Sequence, residues 1–326
     1  MRMRILWLAT SSMQLEPIID SLRYTMKVLH ATVSSMMQET IHTGMESVIG
    51  SIELCRFDKG KEEQYHYEGE VDQVILGAFE RCKPDVVVYS GPAEGRCRPF
   101  LGTFHKMRET AKVMKLCCDG ACPNWHPLLE TYVKEDCFDL IVNIDGNPHW
   151  PSRSQDLTMI APIDPRYYEK DIPKTVDFGW AGGLGSLSRR EITDRLKREC
   201  SLVIPERCEE WGTYQKYADF MLSCKSTFNM SATGSGKAPH VKYRVLEAAM
   251  AGCLLFEEEN PITPLYFEPG IDYVEYDSID GLVNQVKNNT WPDRAHKLRL
   301  KAIHKYSAKR FWTKVFAALG HSLDLV

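Results

Sequence analysis

The chain is 326 residues long, about twice the length of a typical single domain, so two domains of similar size are expected and one small module is excluded. Apolar residues make up 44% and charged residues 26%, with 21 glycines and 17 prolines, a globular composition that excludes a fibre or a disordered chain. The 40 Lys and Arg against 44 Asp and Glu leave a formal charge of −4, so the molecule as a whole is no polycation and any anion-binding surface has to be local.

Residues 5–9 form the first short apolar run and read as a buried strand. No run approaches the ~20 apolar residues that cross a bilayer, and residues 1–10 carry no longer apolar stretch followed by a cleavage signature, so a soluble cytoplasmic protein is expected. Thr10-Ser11-Ser12 stands where a dinucleotide-binding fold has its glycine fingerprint, and neither G-x-x-x-x-G-K-[ST] nor G-x-S-x-G occurs, which argues against a dehydrogenase, a nucleotide triphosphatase and a serine hydrolase.

Further along, residues 70–81 place Val71, Val74, Ile75 and Phe79 at helical core spacing, and residues 104–115 read as a second helix. Apolar runs at 86–89, 113–118, 140–144 and 157–161 read as strands of a parallel sheet buried on both faces. Cys117, Cys118, Cys122 and Cys137, with His126 nearby, do not form paired C-x2-C motifs. A strand end followed by a loop accounts for them, with zinc the alternative, and no metal is assigned. The other cysteines among the 11, such as Cys55, Cys224 and Cys253, sit in apolar runs as small hydrophobes do in a reducing compartment.

Residues 162–174 hold three prolines without periodicity and mark the boundary, giving a first domain over 1–162, a linker over 163–174, a second domain over 175–306 and a last helix over 307–326. Within the second domain the alternation restarts: strands at 176–181, 202–204, 227–230, 253–256 and 273–276, with helices at 187–199, 241–251 and 279–287. The fold class is α/β, with two such units facing a cleft where a small ligand would bind.

The strongest chemical signal is the glycine-bearing loop 233–240 running into the helix that carries Lys242, Arg244 and Glu247. A helix N-terminus with nearby cations suits a diphosphate, and a carboxylate two turns in suits ribose hydroxyls. An exposed Arg244–Glu247 pair at i,i+3 accounts for the same spacing equally well.

Residues 242–278 (KYRVLEAAMAGCLLFEEENPITPLYFEPGIDYVEYDS), with the strand and glycine loop at 176–183 and the Arg189-Arg190-Glu191-Ile192 helix entry, resemble the C-terminal half of GT-B glycosyltransferases, most of all the "glycosyl transferases group 1" branch that holds spore-maturation-type proteins. The resemblance implies two Rossmann-like domains, the second binding a nucleotide-diphosphate sugar such as a UDP-sugar, with the last helix returning to the first domain. It implies that Glu247 holds the ribose, that Gly182, Gly183, Arg189, Lys242 and Arg244 meet the diphosphate without a metal or other cofactor, and that the sugar is transferred with retention. Many relatives carry another glutamate eight residues before the ribose-binding one; Pro239 stands there in this chain, which leaves that sugar contact without its carboxylate.

Asp119, in a loop after a first-domain strand, is the candidate base, with His126 as a second one and a turn cap as the bland account. Glu258, with Glu257 and Glu259, is a candidate for sugar hydroxyls. The acceptor is a saccharide or glycoconjugate, a small molecule, or a hydroxymethylated base in DNA as in phage-type DNA glycosyltransferases. The DNA reading rests on two basic stretches: residues 96–115, with six Lys and Arg against Glu109, and residues 291–316, with eight against Asp293. The alternatives are a non-catalytic nucleotide-sugar-binding protein and a GT-B nucleotide-sugar epimerase.

Overall fold

The computed structural model describes residues 26–33, 36–57, 69–91, 98–184, 187–205, 213–232, 238–288 and 293–321; the expected strand at 5–9 and loop residues 233–237 lie outside them. The first unit is a six-stranded parallel sheet in the order β2-β1-β3-β4-β5-β6, made of β1 (Lys27–Val33), β2 (Ser51–Phe57), β3 (Val86–Tyr89), β4 (Lys112–Cys117), β5 (Leu140–Asn143) and β6 (Leu157–Thr158). Helices α1 (Met36–Glu46), α2 (Glu70–Cys82), α3 (Leu101–Arg108) and α4 (His126–Lys134) connect these strands. Alternate residues go to opposite faces: Val87, Val113 and Ile141 join one apolar cluster, while Val86, Val88, Met114, Leu140 and Val142 join the other. Both faces are covered, which is why β3 and β5 read as unbroken apolar runs.

The expected helix over 104–115 is a correction. α3 ends at Arg108, and Lys112 already pairs with Val86 in β4, while the Val113 N–H donates to Asp139 at 2.9 Å. Sheet pairing overrides the local helical pattern. Strands β1 and β2 and helix α1 have no counterpart in the sequence reading. The expected strand at 202–204 reduces to a single bridge between Gly179 and Val203.

The second unit is a four-stranded parallel sheet, β10-β9-β8-β7, of β7 (Val176–Phe178), β8 (Cys224–Asn229), β9 (Leu254–Glu258) and β10 (Val274–Tyr276). Around it lie α5 (Leu187–Cys200), α6 (Tyr214–Ser223), α7 (Tyr243–Ala251), α8 (Ile279–Asn288) and α9 (Asp293–Tyr306). From Val245 to Ala251 every residue of α7 is buried, Glu247 included, so the helix is covered on all sides. It stops at Gly252, whose φ of 65° is the left-handed conformation glycine adopts without a Cβ penalty.

The last helix, α10 (Ala308–Ala318), follows α9 directly but packs on the first sheet. Its Phe311, Trp312, Val315 and Phe316 share one core with Val28, Val88 and the α1 residues Ile41 and Met45. Polar contacts also join the units. Val241 N–H donates to the Asp145 carbonyl at 2.7 Å, Asn147 Nδ2 to the Pro239 carbonyl at 2.9 Å, and the Tyr266 hydroxyl to the Gly146 carbonyl at 2.8 Å. Glu39 of α1 accepts from the Tyr167 hydroxyl at 3.1 Å and from the Tyr214 N–H at 3.0 Å. Among the described residues no helix is long and apolar enough to cross a membrane.

Candidate functional site

Parallel strands put all their C-terminal ends on one edge, and the loops leaving those ends collect around a ligand. Here the loop after β4 (Cys118, Asp119), Ile144 after β5, the loop after β7 (Ala181, Gly182, Gly183), Tyr217 of α6, and the run from His240 to Glu247 enclose a cleft of about 380 Å3. Six of the sequence-derived candidates line it together: Asp119, Gly182, Gly183, Lys242, Arg244 and Glu247. His126, Arg189 and Glu258 do not line it.

Glu247 is buried, and both carboxylate oxygens are engaged. Oε1 accepts from the Tyr214 hydroxyl at 3.1 Å and Oε2 from the Tyr217 hydroxyl at 2.5 Å. The single Tyr214 proton goes to Glu247, so Tyr168, 2.9 Å away, donates to Tyr214. Burial pushes the Glu247 carboxyl up, and the Tyr217 hydrogen bond and the Arg244 charge pull it back.

Arg244 turns away from Glu247. Its Nη2 donates to the Ala181 carbonyl, its guanidinium lies 4.9 Å from the Trp180 ring centroid, and its buried Nε has no hydrogen-bond partner among the described residues. The exposed i,i+3 pair therefore does not describe this helix. Gly182 makes the arrangement possible, because a Cβ there would stand 2.6 Å from both Arg244 Nη2 and the Trp180 ring.

Lys242 is the N-cap residue of α7. Burial, with the charges of Arg189 and Arg244, pushes its ammonium down to about 8. Arg189 thus acts on the cleft from α5, with its Nη1 3.4 Å from the Gly183 carbonyl in the glycine loop. Lys242 and Arg244 thus line a part-buried cleft at a helix N-terminus, with the Arg189 charge reaching Lys242 from beside it, an arrangement that attracts a multiply charged anion.

On the opposite wall, Asp119 is half-buried and its carboxyl is raised by burial, with Lys242 opposing the rise. Its Oδ1 stands 3.4 Å from His240 Nδ1. That contact is no ion pair, since burial and Lys242 hold the imidazole down to about 3 and hence neutral. Asp145, pushed up to about 6 by burial, accepts from the Ala121 and Asn147 N–H groups and from Asn143 Nδ2, which fixes the loops on that wall.

The remaining candidates sit elsewhere. His126 begins α4, with a buried Nε2 that has no hydrogen-bond partner among the described residues. Glu258 accepts from the Ser231 N–H and hydroxyl, and Glu257 is fully buried on Asn229 and Thr263 and pushed up to about 7. Cys117 ends β4, and burial pushes its thiol up to about 12 and that of Cys118 to about 11. Among the described residues no group of three or more His, Cys, Asp or Glu is placed to hold a metal ion. Sequence reasoning missed Trp180, Tyr214, Tyr217 and the part played by His240; only the fold brings Tyr217 and His240 to the cleft, Trp180 to Arg244 and Tyr214 to Glu247.

Residues 189–319, about two-fifths of the chain, match the model of a glycosyl transferase-like family. The Anabaena protein HepE in complex with UDP-glucose superposes over 91% of this chain and 100% of its own, with a TM-score of 0.60 and 10% identity. The fold is that of a GT-B glycosyltransferase. A glycosyltransferase from Rickettsia africae matches the GT-B architecture over 92% of this chain and 100% of its own, with a TM-score of 0.57 at 10% identity. An alpha-glucosyltransferase in complex with UDP does so over 91% and 100%, with a TM-score of 0.59 at 11% identity. No curated protein matches the chain in sequence. Identities this low speak for a shared GT-B fold, on which substrates vary widely.

Proposed function

We propose that the protein is a metal-independent glycosyltransferase that takes a sugar from a uridine-diphosphate sugar and passes it to an acceptor hydroxyl. The observation that carries this reading is the convergence of Lys242, Arg244 and Glu247 on one cleft, with Arg189 beside it, inside the glycosyl transferase-like segment. Glu247 accepts the ribose hydroxyls, with Tyr214 and Tyr217 orienting it. Lys242, Arg244 and Arg189 neutralise the diphosphate as the bond from the anomeric carbon to phosphate oxygen breaks and charge builds on the leaving group. Uridine is the base present in HepE and in the alpha-glucosyltransferase.

Transfer proceeds with retention, the acceptor proton leaving on the departing phosphate. The half-buried, raised Asp119 favours a second reading in which that carboxylate takes the proton and the anomeric centre inverts. The anomeric proton coupling of the product distinguishes them.

The acceptor is a saccharide or glycoconjugate. The charge argument for DNA weakens in one of its two stretches. Lys106 pairs with Glu80, Arg108 with Asp136 and Asp139, and Lys112 with Asp139, while Lys115 is buried in the sheet and Arg96 lies outside the described residues, which leaves the exposed Arg98. The second stretch keeps the DNA reading in play: Lys305, Arg310 and Lys314 form no ion pair among the described residues, and they rim a separate cavity of about 430 Å3. The relative that favours this reading is the alpha-glucosyltransferase solved with UDP and a 13-mer DNA.

A thermal-shift series with UDP and UDP-sugars tests the donor site, because a ligand of the folded state raises the melting temperature by mass action. Stabilisation of wild type that disappears in Glu247→Ala is expected; no stabilisation of wild type by any uridine nucleotide overturns the reading.

A further inference from the structure

His240 is the unexplained group in the cleft. It is 7% exposed, it lines the cavity, and among the described residues neither ring nitrogen makes a hydrogen bond, although Asp119 Oδ1 lies 3.4 Å from Nδ1. A neutral imidazole carries one donor and one acceptor, and buried polar groups of that kind are normally satisfied. The backbone that carries the ring is held at the cleft wall: His240 N–H donates to the Ser231 carbonyl at 3.0 Å, Asn147 to the Pro239 carbonyl, and Val241 N–H to the Asp145 carbonyl. A partner supplied by a ligand fits the observation.

We infer that His240 hydrogen-bonds a hydroxyl of the donor's sugar and so helps to select which sugar is transferred. This rests on the donor-site reading above and adds to it the side chain that meets the far end of the donor. The order of groups along the cleft supports the assignment. Glu247 lies in the second turn of α7, Arg244 in its first turn, Lys242 at its N-cap, and His240 beyond the helix. A nucleotide sugar laid along that order puts ribose at Glu247 and diphosphate at Arg244 and Lys242. What hangs from the second phosphate then reaches His240. Asp119 stands beside Nδ1 and favours the tautomer with the proton there, leaving the Nε2 lone pair to accept from a sugar O–H. A neutral ring suits a neutral hydroxyl better than a third phosphate contact.

The test compares binding of UDP with binding of UDP-glucose, UDP-galactose, UDP-xylose and UDP-N-acetylglucosamine by calorimetry, in wild type, His240→Ala and His240→Gln. Wild type is expected to bind one sugar nucleotide more tightly than the others by about tenfold or more, as a site built on a hydroxyl hydrogen bond does. His240→Ala is expected to bind UDP within about twofold of wild type while that preference collapses, and His240→Gln, which keeps a donor and an acceptor, to restore part of it. A preference unchanged in His240→Ala overturns the inference, as does loss of UDP binding itself in both variants, which would put His240 on the diphosphate. Failure of wild type to bind UDP at all strikes the donor-site reading instead, so the two failures are distinguishable.

Discussion

Lys242 makes binding at the proposed donor site sensitive to pH. Burial and two neighbouring guanidinium groups bring its ammonium down to about 8, and a bound diphosphate favours the charged form and raises it again. Binding above that value therefore requires proton uptake. UDP affinity is expected to be steady near pH 7.5 and to fall by up to about tenfold per pH unit above 8, with the break absent in Lys242→Arg, whose guanidinium stays charged. Glu257, pushed up to about 7, becomes charged over a lower range and holds the proton on Lys242 more firmly, so the break is sought on the alkaline side. Calorimetry from about pH 7 to about pH 10 reads it. Gly182→Ala supplies a different kind of perturbation. The added methyl drives Arg244 off the Ala181 carbonyl and the Trp180 face, so UDP binding is expected to weaken by about tenfold while the chain still folds, because the contact is at a loop and the Arg side chain can move.

At the scale of elements, α10 ties the last residues to the first sheet. Trp312 is fully buried in the core that holds Val28, Val88 and Phe316, and Trp312→Ala is expected to cost about 3–5 kcal/mol in urea unfolding, the range for truncating a large core aromatic. The elements also explain which parts of the fold could be read in advance. β3 and β5 are all-buried runs, and α7 with β9 is a contiguous apolar block, so composition alone exposes them. β1 is central and equally buried, yet it carries His30 and Thr32. Those two are satisfied by Ser90, which hydrogen-bonds His30 Nε2 at 2.7 Å, Thr32 at 2.9 Å and Gln38 at 2.6 Å. A polar knot that closes on itself in three dimensions leaves no apolar pattern in one. β2 fails for another reason: as an edge strand it presents Glu53 and Arg56 to its surroundings. The same division holds for the site. Lys242, Arg244 and Glu247 share one helix and were legible by spacing, whereas Tyr214 and Tyr217 reach Glu247 only through the packing of α6 on α7.

For the molecule as a whole, Asp119 reaches the cleft from the first unit and the residues from His240 to Glu247 from the second. On the function proposed above, the acceptor comes in from the side of the first unit. A saccharide acceptor predicts that its KM hardly changes between about 50 mM and about 200 mM salt, whereas a DNA acceptor touching six or more phosphates would lose about a thousandfold in affinity over that range. The neutralisation of the α3 cations by Glu80, Asp136 and Asp139 favours the flat response.

Glu39, on α1 of the first unit, holds both Tyr167 and Tyr214, and Tyr214 in turn holds Glu247. The hold of the second unit on Glu247, the carboxylate proposed for the ribose, is thus lodged partly in the first unit. Such linkage is reciprocal: if Glu39→Ala weakens UDP binding by some factor, UDP must strengthen the Glu39 contact by that same factor in the intact chain. Amide exchange along α1 should therefore slow when nucleotide is added, far from any atom the nucleotide touches, and the slowing should vanish in Glu39→Ala. Occupancy of the cleft would then be legible at a helix that does not line it.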